Sequence, residues 1–268
     1  MEKNSLRGIM RKIIAGCLML AALTGCSTST PVVLPPAKSI VIVPAIPKNF
    51  RVATSGLTVF QNNLDIIDDS SWHLNQLAYD TAVKALGPAY QVSEASPDAA
   101  LWKDLDDWSF LGQDIGNEIK QHVHVTSLPD LFLFISISDP TPDGEGFPDI
   151  LRAVGISKQR VWITNMTPVA HAYLELSVID GRTFRVLDQV PLSMDPKDQV
   201  PKDGLNDGTF INGGGPTLPI AELDNFPWRD HWADLTAAEQ HEAEDTIRNL
   251  ITASESYTLT QVLAGRAQ

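Results

Sequence analysis

The chain holds two cysteines, and both fall within its first 26 residues. Cys17 sits inside an apolar run, and Cys26 closes the box Leu23-Thr24-Gly25-Cys26. From Ser27 onward there is no thiol. The body of the chain can therefore form no disulfide, present no thiol nucleophile and hold no metal through sulfur, even in an oxidising compartment. Whatever it folds into must be held by a buried core, and 43 % apolar residues over this length suffice for one.

The segment before Cys26 has a distinct order. Lys3, Arg7, Arg11 and Lys12 make a basic start opposed only by Glu2, and Ile13 to Leu23 follows without a charge. Such a run is too short to span a bilayer, which needs about 20 apolar residues, but suits the apolar region of an export signal. Small residues Thr24 and Gly25 then meet Cys26. This order resembles the bacterial lipoprotein signal. The resemblance implies a diacylglycerol on the Cys26 thiol, cleavage on its N-terminal side, and often acylation of the freed amine. Ser27 after the cysteine, rather than Asp, is the pattern that goes with outer-membrane sorting in enteric-type bacteria. The expected location is thus the cell envelope, on the periplasmic face of the outer membrane. The alternative is an ordinary cleaved signal peptide with Cys26 incidental.

Loss of residues 1–25 would leave 16 basic against 32 acidic residues, a body of about −16 charge. That balance repels phosphate backbones, so no nucleic-acid partner is expected. It also repels anionic head groups, so the lipid on Cys26 is the expected membrane contact. Residues 26–37 read as the lipidated cysteine and a Pro/Ser/Thr-rich tether, which at roughly 3 Å per extended residue lifts the domain a few nanometres at most.

Residues 38–268 read as one α/β domain, a mixed β-sheet packed with helices and closed by a C-terminal helix. Ser39–Val43 and Leu131–Ser138 are continuous apolar runs, the pattern of strands buried on both faces. Phe50–Asn62 reads as a second strand, paired with the first through a turn at 46–49. Asp68–Ser71 reads as a cap for a helix whose apolar face carries Leu74, Leu77, Ala78, Thr81 and Ala85 and which stops at Gly87-Pro88. A short strand at 90–92 and helix over 98–121 follow. Ile156–Met166 has strand character. Ala170–Ile179 alternates as one strand and forms a hairpin with Thr183–Leu192, where Asp180-Gly181 supplies the positive φ of a tight turn. Residues 195–230 read as a long loop. Thr236 and Glu239 mark a capping box ahead of a helix with Ala243, Ile247, Leu250 and Ile251 as its stripe.

The strand Ile40–Val43, the segment Gly56–Asn62 and the helix at Trp72 resemble the opening of a group of envelope lipoproteins of unknown function. The hairpin Tyr173–Thr183 is similar to one in periplasmic α/β domains of the curli-secretion lipoprotein and Tol-B amino-terminal kind. That resemblance implies an assembly or accessory module with an envelope protein partner and no catalytic residues, and it transfers no functional residue to this chain.

Side-chain chemistry offers few candidates. His122-Val123-His124 would place two imidazoles on one side of a strand at metal-ligand spacing, yet no third ligand stands nearby. Asp139, Asp143, Glu145 and Asp149 could offer oxygens to calcium but fit no EF-hand spacing. His241 lacks the second histidine of a metalloprotease helix, Gly213–Gly215 lacks the lysine of a phosphate loop, and no serine-nucleophile elbow exists. No metal or other cofactor is expected. Phe226, Trp228 and Trp232 form the densest aromatic cluster and are the candidate binding patch. The chain reads as a non-catalytic partner-binding lipoprotein. The alternatives are an envelope hydrolase or other small-molecule enzyme working through histidines and carboxylates, or a lipoprotein binding ligand with its aromatics.

Overall fold

The two continuous apolar runs become neighbouring strands. A computed structural model describes residues 37–264 apart from 56–61, 108, 110–111, 139–152, 160–166, 196, 198–218 and 224, all within one unit, Val33–Gln268. β1 (Ser39–Ala45) and β5 (Leu131–Ile137) pair in parallel, and their interiors are buried on both faces. β1 also pairs in parallel with β4 (Gln91–Glu94). β5 pairs antiparallel with β8 (Leu174–Asp180), which pairs with β9 (Val186–Pro191). The first sheet therefore runs β4-β1-β5-β8-β9.

A second five-stranded sheet runs β10-β7-β6-β2-β3. Its members are β2 (Asn49–Ser55), β3 (Asn63–Asp68), β6 (Val154–Gln159), β7 (Val169–Ala172) and β10 (Ile220–Glu222). β2 and β6 are parallel and the other pairs antiparallel. Both sheets are mixed, so the α/β expectation holds, in two sheets rather than one.

The chain crosses between sheets at two short links. Ile46–Lys48 carries β1 into β2, so the expected hairpin between them does not form. Tyr173 alone separates β7 from β8, so the alternating stretch 170–179 is two strands in two sheets. Tyr173 is buried; its N–H donates to the Ala153 carbonyl at 2.7 Å and its carbonyl accepts from Ser138 N–H at 3.0 Å. Register places both links at the same end of the first sheet, because Ala45 lies opposite Ser136 and Leu174 opposite Ile137.

Among the described residues four α-helices cover the sheets: α1 (Leu74–Leu86), α2 (Ala99–Asp106), α3 (Ile115–His122) and α4 (Ala237–Ala264). α1 packs on β1 and on α4, while α4 packs on β6, β7 and β10. Leu74, Ala78, Thr81, Ala82 and Leu86 form the buried face of α1, close to the expected stripe, and Gly87 ends it at φ +64°. Asp98 caps α2 through the N–H groups of Ala100 and Leu101, and Asp114 caps α3 through that of Asn117. The box at the start of α4 is formed in both directions: Glu239 N–H donates to Thr236 Oγ1 at 3.4 Å and Thr236 N–H to Glu239 Oε2 at 2.6 Å. The helix runs unbroken through 256–264. Its expected stripe is buried, and so is Glu255, whose two oxygens have no hydrogen-bond partner.

Two local expectations are corrected. The hairpin β8–β9 forms, but the residue at positive φ is Phe184, at +58°, and not Gly181. Asp180 shapes the turn by accepting from the N–H groups of Arg182 and Thr183 and the Thr183 hydroxyl. Gly181 is required for closeness: a Cβ there would lie 2.0 Å from the Pro129 carbonyl oxygen. The expected loop 195–230 includes the strand β10, which completes the second sheet beside β7.

Candidate functional site

The aromatic patch at 226–232 is docked onto the second sheet. Phe226 is buried. Trp228 Nε1 donates to Thr54 Oγ1 at 3.1 Å, and Thr54 in turn donates to Asp230 Oδ1 at 3.0 Å. The Asn63 amide donates to the Asp230 carbonyl. Asp65 on β3 accepts from Trp232 N–H at 3.0 Å and lies 3.2 Å from His231 Nδ1, which raises the His231 pKa above its ordinary value. Trp232 completes a cluster with Phe50 and Trp72, at ring separations of 5.0 Å and 5.9 Å, while Phe50 and Trp72 lie 4.6 Å apart. These contacts are those of core packing with polar handles satisfied.

His122 and His124 do not share a strand. His122 is the last residue of α3, its Nδ1 3.1 Å from Asp98 Oδ2 and its Nε2 3.7 Å from Glu118 Oε2; His124 is exposed beyond the helix. The two ring nitrogens of His122 thus face different carboxylates, which ties α3 to the start of α2. Among the described residues no group of three metal-ligating side chains converges. Cys26, the acidic loop 139–149 and Gly213–Gly215 lie outside the described residues.

A cleft that sequence reasoning did not single out lies at the carboxyl end of β1. It has a volume of about 170 Å³ and is formed by the link Ile46–Lys48, Asp69 and Ser70 after β3, and His73 to Gln76 at the start of α1. The Asn75 side chain fastens its wall by accepting from Ile46 N–H at 2.8 Å and donating to the Ile46 carbonyl at 2.9 Å. Asp68–Ser71 does not cap α1 as expected. Asp68 turns back on Ser70 N–H and its hydroxyl, which lowers the Asp68 pKa. His73, in the left-handed region at φ 51°, occupies the capping position without a side-chain bond to the helix.

Asp69 is the distinctive group of the cleft. Its residue is 4 % exposed, and Oδ2 has no hydrogen-bond partner. Burial, and then the neighbouring Asp68 carboxylate, push its pKa up to about 7; Asp106 adds to the rise and Lys48 opposes it. The ammonium of Lys48 lies 5.9 Å from the centre of the Trp102 ring. The local signal, two aspartates and two serines before a helix, matches that of a cap. Only the fold at β3 and the Ile46–Lys48 link separates the two acids into one exposed and one buried.

No protein-family model and no curated protein matches this chain. Several solved structures align with it, among them the following three. Lipoprotein GNA1162 from Neisseria meningitidis has 14 % identity and a TM-score of 0.25 over 57 % of this chain and 79 % of its own. A Xanthomonas campestris protein of the DUF330 family has 10 % identity and a TM-score of 0.34 over 90 % and 94 %. A neuraminyllactose-binding hemagglutinin homolog from Helicobacter pylori has 11 % identity and a TM-score of 0.31 over 86 % and 92 %. Likeness this loose carries no argument about fold or function.

Proposed function

We propose that this chain is a lipid-anchored cell-envelope protein, held through Cys26 at the periplasmic face of the outer membrane, whose α/β domain binds an envelope protein partner. The observation that carries the reading is the order of its first 26 residues: basic start, uncharged run, and Leu23-Thr24-Gly25-Cys26. One acyl chain gives marginal binding at about 0.8 kcal/mol per buried methylene, whereas two or three hold a protein stably. No helix among the described residues is long and apolar enough to cross a membrane.

The start of the domain is suited to bear a tether. Asp130 Oδ2 accepts from the N–H groups of Lys38 and Ser39 at 2.8 and 3.0 Å and from the Ser39 hydroxyl at 3.1 Å. These bonds hold the Asp130 carboxyl below the usual range and fasten the entering chain to the base of β5. For a partner surface, the outer face of the edge strand β3 presents Leu64 and Ile66, 39 % and 56 % exposed. The backbone N–H and C=O groups along a sheet edge are a template for strand addition by another chain, and apolar side chains beside them add contact area.

The anchor is tested by growing cells with a labelled fatty acid and fractionating wild type and Cys26→Ser. Label and membrane association are both expected to disappear in the variant; persistence of both defeats the reading.

A further inference from the structure

We propose that the cleft between the Ile46–Lys48 link and the first turn of α1 binds a free α-amino-acid head, its ammonium on Asp69 and its carboxylate on the first-turn N–H groups of α1. Two independent features ask for opposite charges within one small space. The first is Asp69, buried, lining the cleft and with Oδ2 unpartnered. A buried carboxyl oxygen without a partner is costly, and an ammonium supplies both the charge and the donor that Oδ2 lacks. The second is the start of a 13-residue helix that no side chain caps, with His73, Leu74, Asn75 and Gln76 on the cleft wall. Its free N–H groups and positive dipole end favour a carboxylate.

A simple anion would face Asp69, with Asp68 and Asp106 behind it. A simple cation would face Lys48 and the helix end. A ligand with both charges on one carbon satisfies each, and a cleft of about 170 Å³ accommodates a small one. The groups around Asp69 are Asp68 at the end of β3, Asp106 on α2, Lys48 on the link and His73 before α1. Ammonium binding requires the Asp69 carboxylate, so it releases a proton wherever Asp69 is protonated in the free protein. Because the free Asp69 titrates near pH 7, affinity rises as pH increases through that value and levels off above it. The head can belong to a free amino acid or to an unlinked amino-acid end of a cell-wall peptide. The second source rests on the envelope reading; the site itself does not.

The test is calorimetric titration of the full-length, detergent-solubilised protein with glycine, methylamine, acetate and meso-diaminopimelate at about pH 6 and about pH 8. Glycine is expected to bind at least about tenfold more tightly than methylamine or acetate, and more tightly at the higher pH. Asp69→Asn, checked for fold by circular dichroism, is expected to lose about tenfold in affinity together with the pH dependence. Diaminopimelate binding more tightly than glycine assigns the cell-wall source; equal affinities assign the free amino acid. Absence of binding by either amino acid overturns the proposal. So does methylamine or acetate matching glycine on the unaltered protein, a result that needs no variant to fold. The labelling experiment on Cys26 is unaffected by any of these outcomes.

Discussion

Single side chains decide how this domain responds to pH. Glu255 lies in α4 with both oxygens buried and unpaired, and burial raises its pKa well above 4.5. Below about pH 4.5 the folded and unfolded chains both hold the proton, and Glu255 adds no pH dependence. Above that value the unfolded chain ionises first, so stability falls as pH rises until the folded pKa is passed. Asp69 contributes with the same sign between its ordinary 3.8 and about 7. Glu255→Met keeps the side chain's length and removes its charge. It is expected to raise stability at neutral pH by about 1–3 kcal/mol, with the gain shrinking toward acid. Urea melts of both proteins across pH 4 to 8, a range set by these titrations, measure the difference. A gain that is constant with pH would mean that Glu255 titrates alike in the folded and unfolded chains. Neither acid was legible as buried from the sequence. Glu255 follows Ser254 late in a helix, and Asp69 stands in a stretch that looks like a cap.

At the scale of elements, local chemistry and close approach divide the labour. The α4 capping box and the stop at Gly87 follow from residue types at short spacing and form as expected, and Asp98 and Asp114 cap α2 and α3 by the same local chemistry. The β8–β9 turn is different. Its dipeptide Asp180-Gly181 signals a turn, yet Gly181 is needed because β5's approach segment passes against it. Gly181→Ala would bring a Cβ to 2.0 Å from Pro129 O and 2.8 Å from its carbonyl carbon. Backbone cannot rotate aside as a side chain can, so a loss of about 1–3 kcal/mol is expected, read as a lower midpoint in chemical denaturation with the slope unchanged. An unchanged midpoint would show that the Pro129 segment yields freely. The same segment carries Asp130, so the substitution also strains the bonds to Lys38 and Ser39.

On the scale of the whole molecule, the aromatic groups join distant parts of the chain. Phe50 comes from β2, Trp72 from the turn before α1 and Trp232 from the segment before α4. Trp232→Ala is expected to cost about 2–4 kcal/mol, below the range for a fully buried tryptophan because Trp232 is half-buried. Equilibrium denaturation followed by far-UV circular dichroism checks it, and an effect under about 0.5 kcal/mol would place Trp232 outside the core. Trp228 and Asp230 lock the same segment to Thr54, 174 and 176 positions away along the chain. The patch 226–232, the candidate binding patch on composition, is also where the segment before α4 joins the second sheet.

The sequence by itself determined the absence of thiol chemistry after Cys26, the presence of β1, β5 and α4, the capping box of α4 and the stop of α1 at Gly87. These depend on residue type and on periods of two or 3.6, which act over a few positions. Only tertiary structure decided that the strands divide into two sheets, that Tyr173 switches the chain between them, and that Asp69 is buried while Asp68 is not. Parallel pairing brings together residues as far apart in sequence as Arg51 on β2 and Gly155 on β6. No local pattern carries that information, because an apolar run satisfies either sheet equally well until its partner strand is chosen.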